Sequence, residues 1–146
     1  MVKWAVVTDF DGTVTLKDVS DALLLHFKAA GREEIERSYD PSVELERWMT
    51  AYYRLLKVPR PRIEEYVRDS ARLRGGFQEL SAFCAGSGVP LEIVSGGLDV
   101  YIDCLLRYWR LKISAYRARA RFTPEGISID YPFLRNSSSD VFLRKG

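Results

Sequence analysis

An apolar segment that ends on two carboxylates leaves few folds open to this chain. Trp4, Ala5, Val6 and Val7 are consecutive, and they run into Asp9-Phe10-Asp11-Gly12-Thr13. A strand that is apolar at every position, rather than at alternate ones, is usually buried on both faces, as in parallel sheets. Residues 3–9 therefore predict a buried strand, and Gly12 a turn out of it. A second segment repeats the arrangement. Residues 91–94 are a short apolar strand, Ser95-Gly96-Gly97 follows as a turn, and residues 98–109 have a helical pattern. Strand, glycine-rich turn and helix together form a phosphate-cradling arrangement. In a parallel sheet both strand ends open at one carboxyl edge, where ligands bind. The expected class is α/β, a Rossmann-like parallel sheet.

Between these segments the pattern is helical. Asp18 predicts an N-cap with Asp21 in the first turn, Val19, Leu23 and Phe27 follow at helical spacing, and Gly31 is expected to close the helix. A second helix is expected to start with Asp40 as N-cap and Pro41 as first residue, and to run to about residue 57. Leu45, Trp48, Met49, Tyr52, Leu55 and Leu56 form its apolar face, and Trp48, Tyr52 and Tyr53 read as core of the helical part. Pro59 and Pro61 break it, and a third helix covers residues 61–73 before Gly75-Gly76 turns the chain back. The expected division is a core of residues 1–15 and 76–146, with residues 16–75 as a small helical insert after the first strand. A short helix over 77–85 precedes the second strand. Residues 116–122 and 127–131 alternate in polarity around Thr123-Pro124-Glu125-Gly126 and predict a β-hairpin, with a polar loop at 136–139.

Composition narrows the function classes. With 146 residues, 47% of them apolar, the chain can build a core, and its net charge of +2 gives no general drive toward nucleic acid or an anionic membrane. No apolar run is long enough to span a bilayer, and no signal-peptide pattern opens the chain, so a cytoplasmic protein is expected. Cys84 and Cys104 have neither metal-type nor CxxC spacing and read as buried thiols. Asn136 is the only asparagine and Gln78 the only glutamine, a depletion of labile amides that points toward a thermophile.

Asp9 and Asp11 stand two residues apart where the first strand ends. On an extended backbone both side chains point the same way. Two carboxylates on one side of a site can divide labour as nucleophile and general acid, and a divalent cation beside them offsets their repulsion. A bare DxD is more often a pair of solvated carboxylates; the buried strand before it and the glycine after it reverse those odds. Ser95 alone would read as an ordinary N-cap. Its hydroxyl with the Gly96 and Gly97 amides becomes a phosphate-binding candidate because both motifs open at the same edge. Gly12 belongs with them, since its turn lets backbone amides face an anion. His26, the only histidine, reads as a surface or core residue. Arg117, Arg119 and Arg121 alternate on one strand face and read as a solvated face, with contact to an anionic substrate or nucleic acid as the lesser alternative. Arg47 and Arg54 read as surface arginines of the helical part, with contact to the non-phosphate end of a substrate as the alternative for both.

Asp9-Phe-Asp-Gly-Thr-Val-Thr15 resembles motif I of the haloacid dehalogenase superfamily, and Ile93-Val94-Ser95-Gly96-Gly97 resembles its motif II. Arg144-Lys145-Gly146 resembles the motif III lysine of the phosphoserine phosphatase-like branch. Asp18 and the run from Ser95 to Ile102 are more similar to the methionine-salvage enolate-phosphate phosphatases of that branch. The resemblance implies a phosphomonoester hydrolase acting on a small phosphorylated metabolite, a phosphoserine-like compound or that enolate phosphate. It implies Asp9 as nucleophile, Asp11 as general acid and base, and Ser95 and Lys145 as ligands of the transferring phosphoryl group. Mg2+ would be held by the Asp9 carboxylate and the Asp11 backbone carbonyl.

The family's acidic fourth motif, Gly-Asp-x-x-x-Asp, has no counterpart in these residues, and nothing in the spacing of Asp99, Asp103, Asp130 or Asp140 replaces it. The strand that carries that motif lies beside the first strand in the family. Without it residues 4–8 would present an open apolar edge. A truncated chain, or one completed by a partner such as a second copy paired edge to edge, is expected. The competing function is a catalytically silent binding or assembly module of the same fold.

Overall fold

The computed structural model of the chain describes residues 3–132. Its described elements, in chain order, are β1 (Val6–Thr8), α1 (Val19–His26), α2 (Arg32–Ser38), α3 (Leu45–Tyr53), α4 (Arg60–Ser70), α5 (Phe77–Ser87), β2 (Leu91–Leu98), α6 (Asp99–Tyr108), β3 (Ser114–Thr123) and β4 (Gly126–Asp130). The strands form one sheet in the order β1-β2-β3-β4. β1, β2 and β3 run parallel, with Thr8 opposite Ile93 and Ile93 opposite Ala115, and β4 returns antiparallel to β3. The expected α/β class with parallel strands and a terminal hairpin is what the chain adopts.

α6 is the keystone of the packing. Val100, Tyr101, Ile102, Cys104, Leu105 and Leu106 are all buried, so the helix is covered on nearly every side. It packs on β2 and β3 on one side and on α4 on the other. From α4, Ile63 and Val67 meet the core at i and i+4 spacing. Cys84 and Cys104 are free and buried, as expected of structural thiols.

Four helices stand between β1 and the chain's return to the core at residues 72–74. The two connecting segments are zipped together: Thr15 bridges Leu73, the Leu16 amide donates to the Arg72 carbonyl at 3.0 Å, and the Arg74 amide donates to the Val14 carbonyl at 2.8 Å. The tip of the hairpin reaches these helices from the other side. Gly126, at φ 127°, lies so close to the Arg54 carbonyl at the end of α3 that a Cβ would overlap it. The Arg60 guanidinium sits 5.0 Å above the Phe122 ring.

Local chemistry corrects several expected boundaries. Asp18 caps α1 as expected, accepting from the Asp21 amide at 2.9 Å. The helix stops at His26 rather than at Gly31, because Lys28 takes the left-handed conformation at φ 57° and the Ala29 and Ala30 amides turn back to the Leu24 carbonyl. Gly31 instead precedes α2, a helix with no counterpart in the expectations. Asp40 is not an N-cap: its carboxylate accepts from both the amide and the hydroxyl of Ser42, at 2.8 and 2.6 Å, making a turn that delays α3 to Leu45. β1 is three residues long and lies at an edge of the described sheet, not buried on both faces. Val7 is 64% and Trp4 79% exposed. Among the described residues, no helix is long and apolar enough to cross a membrane.

Two glycine substitutions separate these contacts. Gly126→Ala should cost roughly 2 kcal/mol or more, since the residue combines positive φ with backbone contact. Gly86→Ala, on α5 with open space around it, should stabilise by roughly 0.5 kcal/mol through helix propensity. Denaturant midpoints of both variants check this.

Candidate active site

The motif I loop is a single tight turn built on one carbonyl. The Phe10 carbonyl accepts the amides of Thr13, Val14 and Thr15 at 3.1, 2.9 and 3.2 Å. The Phe10 ring is fully buried and anchors the turn, and Gly12 bends it at φ 70°. The Gly12 amide donates to the Thr15 hydroxyl, which donates in turn to the Lys17 carbonyl at 2.7 Å. Outside the loop, the Arg74 guanidinium donates to the carbonyls of Thr13 and Gly12 at 2.6 and 2.8 Å. A cation from the returning segment thus clamps the carbonyls of the outgoing one.

The two motif I carboxylates occupy different surroundings. Asp9 is half-buried, and its Oδ1 accepts the Phe10 amide at 2.7 Å. Asp11 is 6% exposed and held at both oxygens. Its Oδ1 accepts the amides of Val19 and Ser20, at 2.9 and 3.4 Å, at the N-terminus of α1. Its Oδ2 accepts the Tyr101 hydroxyl from α6 at 2.7 Å. The helix N-terminus offers unpaired amides to a carboxylate, so the burial is compensated. The network continues from Ser20, whose hydroxyl lies 2.7 Å from that of Tyr53 on α3. Burial raises both tyrosine hydroxyls well above the ordinary range, with the Asp11 charge adding to the effect, so both stay protonated.

Motif II is not the turn that the sequence suggested. β2 continues through it to Leu98, and the pairing changes register there: Val94 faces Tyr116 and Leu98 faces Ala118, so four residues of β2 span two of β3. The cause is local. Ser95, 4% exposed, accepts the Gly97 amide on its Oγ at 3.0 Å, bending the strand into a bulge. That bond uses an acceptor site of the hydroxyl and leaves its proton to donate elsewhere. A Cβ on Gly97 would overlap the Tyr101 hydroxyl and lie 2.7 Å from Asp11 Oδ2. Motifs I and II therefore meet at Asp11, at the carboxyl ends of β1 and β2.

The remaining candidates lie elsewhere. Arg47 is an exposed surface residue paired with Glu44 at 3.2 Å. Asp99 accepts the Ala120 amide, Asp103 holds Arg117, and Asp130 pairs with Arg121 at 3.5 Å. His26 is exposed and stacked on the Tyr66 ring. Lys145, with Asp140 and the loop at 136–139, lies outside the described residues. Among the described residues no group of three His, Cys, Asp or Glu side chains is arranged to hold a metal. Tyr101, Ser20 and Arg74 were not singled out from the sequence, and Tyr53 was read only as core, which its full burial bears out. The one available signal for Tyr101 was its place in the run from Ser95 to Ile102.

A model of the haloacid dehalogenase-like hydrolase family matches residues 6–135. A 2-hydroxy-3-keto-5-methylthiopentenyl-1-phosphate phosphatase of Exiguobacterium sibiricum is 31% identical over 132 residues, 87% of this chain and 59% of that protein. The phosphatase of the same name from Lysinibacillus sphaericus is 27% identical over 132 residues, 89% of this chain and 58% of that protein. The chain thus spans less than two thirds of the length of these curated relatives. A phosphoserine phosphatase solved as a phospho-aspartyl intermediate analogue superposes with a TM-score of 0.75 at 17% identity, over 97% of this chain and 69% of that one. This last likeness concerns the fold.

Gly97→Ala should destabilise the protein by roughly 2 kcal/mol, because the added methyl must displace a buried hydroxyl and carboxylate. Denaturant unfolding beside Gly86→Ala measures it.

Proposed function

The chain belongs to the haloacid dehalogenase-like hydrolase family, and on that footing we propose that it is a Mg2+-dependent phosphomonoester hydrolase with an aspartate nucleophile. The observation that carries this is the unequal treatment of two carboxylates two residues apart. Asp9 is half-buried at the strand end, whereas Asp11 is buried and gripped at both oxygens. Environments that differ in this way assign different roles to like groups.

In this reading Asp11 enters the substrate complex protonated. Asp9 attacks phosphorus and forms an aspartyl-phosphate while Asp11 gives that proton to the leaving oxygen and is left as the carboxylate. Asp11 then takes a proton from the water that hydrolyses the intermediate. The Ser95 hydroxyl donates to a phosphoryl oxygen, with the Gly96 amide beside it and Gly12 turning the loop clear, and Lys145 is assigned to the same charge. The Gly97 amide, expected from the sequence to join them, donates to Ser95 Oγ instead. The donor set suits Mg2+. Asp9 and the Asp11 carbonyl are hard oxygen ligands, and Mg2+ commonly takes few protein ligands and keeps several waters. When bound, the ion would neutralise charge between carboxylate and phosphate.

Residues 16–75 act as a cap that closes over this edge and excludes water, with residues 1–15 and 76–146 as the core. The zipped segments at Thr15 and Leu73 support that division. The substrate is a small phosphorylated metabolite. The relatives' names favour the methionine-salvage enolate phosphate over phosphoserine. Asp18 and Arg47 are assigned to the cap side of substrate recognition. The exposure of Trp4 and Val7 beside the β1 edge supports pairing of two copies there.

Hydrolysis of 4-nitrophenyl phosphate tests the activity. Turnover should require Mg2+, disappear with a chelator, and fall by about 10³-fold or more in Asp9→Asn. Folded protein without Mg2+-dependent turnover would leave the silent-module reading in its place. Sedimentation should show a dimer that Val7→Lys weakens by about tenfold; a monomer at every concentration would refute the edge pairing.

A further inference from the structure

A buried hydroxyl in an apolar setting is costly unless it is bonded, and Tyr101 has one specific use for its own. The side chain is fully buried on α6, with the Phe10 ring 6.3 Å from its own. Phenylalanine would fill the same space. The hydroxyl reaches Asp11 Oδ2 at 2.7 Å, and a carboxylate only accepts, so the tyrosine is the donor. Gly97 supplies the room, since a Cβ there would overlap the hydroxyl.

The other carboxylate oxygen is held by a different part of the molecule. Val19 and Ser20 belong to the first helix after motif I, whereas Tyr101 belongs to the helix after motif II. A carboxylate fixed at one oxygen can rotate about its terminal bond; fixed at both, it cannot. Proton transfer to a leaving oxygen is sensitive to that orientation.

We propose that Tyr101 is a positioning residue that fixes the plane of the Asp11 carboxylate for proton transfer to the leaving group. This rests on the phosphatase reading of Asp9 and Asp11. Tyr101 acts through Asp11 and touches no substrate in this role. Its removal should therefore penalise the step that needs Asp11 as an acid, in proportion to how much the leaving group needs a proton.

Phenyl phosphate and 4-nitrophenyl phosphate have nearly the same shape, but phenolate is the poorer leaving group. In the whole 146-residue chain with Mg2+, Tyr101→Phe should lower kcat/KM about 30-fold on phenyl phosphate and by less than about 3-fold on the nitrophenyl ester. Equal losses on both would mark a merely structural residue and overturn the proposal, as would no loss on either. A second readout needs no turnover. Amide exchange at Val19 should quicken about tenfold in Tyr101→Phe while Cys104 and Leu105 keep their protection, because the acceptor of the Val19 amide is no longer held in place. Unchanged exchange at Val19 would overturn the claim that the hydroxyl holds Asp11. Absence of turnover in the unsubstituted chain would overturn the phosphatase reading and the catalytic half of this proposal with it, and the exchange result would still decide whether Tyr101 fixes the carboxylate.

Discussion

The burial of the Asp11 carboxylate is the constraint on which the surrounding structure depends. A charge at that depth is tolerable only with donors at its oxygens. Meeting that requirement brings three elements to one point: α1 presents its first amides, α6 presents Tyr101, and β2 passes Gly97 beside them without a side chain. Each has a local device behind it. Asp18 caps α1, the Phe10 carbonyl gathers the motif I turn, and Ser95 folds β2 into its bulge. Tyr53 extends the network to α3 through Ser20. The polar centre and the apolar core are therefore continuous, with α6 serving both.

The outline of this arrangement could be read from the sequence because it is written in short-range signals. The two apolar runs ending in Asp9 and Ser95, the cap at Asp18, the prolines at 59 and 61 and the turn at Gly126 act on their own neighbours, and each gives an element close to its expected place. The misreadings share a cause. Asp40 and Gly31 carry residue types that suit a helix end, but the side chain of Asp40 found Ser42, and Lys28 took the left-handed turn before Gly31 was reached. For residues 6–8 the apolar run suggested burial on both faces, whereas the lack of a fourth motif suggested an open edge, and among the described residues β1 lies at the edge of the sheet.

At the site the division is similar. The placement of Asp9, Asp11 and Ser95 on one edge was legible because each is tied to the strand end that carries it. Tyr101 lies ninety positions from Asp11 in sequence, and nothing local to either residue specifies the pair. Arg74 is likewise remote from the carbonyls that it clamps. Long-range hydrogen bonds of this kind follow only once the sheet has brought motif II beside motif I.

The tip of the β3–β4 hairpin would ordinarily be a safe place to add residues, since exposed turns accept insertions and tags better than any other part of a domain. Here the tip is wedged against the end of α3, with Gly126 under the Arg54 carbonyl. The spacing of the turn is thereby tied to the position of the helical insert, and through Tyr53 and Ser20 to the N-terminus of α1. A lengthened turn would be felt at the carboxylate on the far side of the insert. For this chain the tolerant sites for labels and fusions lie along the exposed face of α5, and the hairpin tip belongs to the working parts.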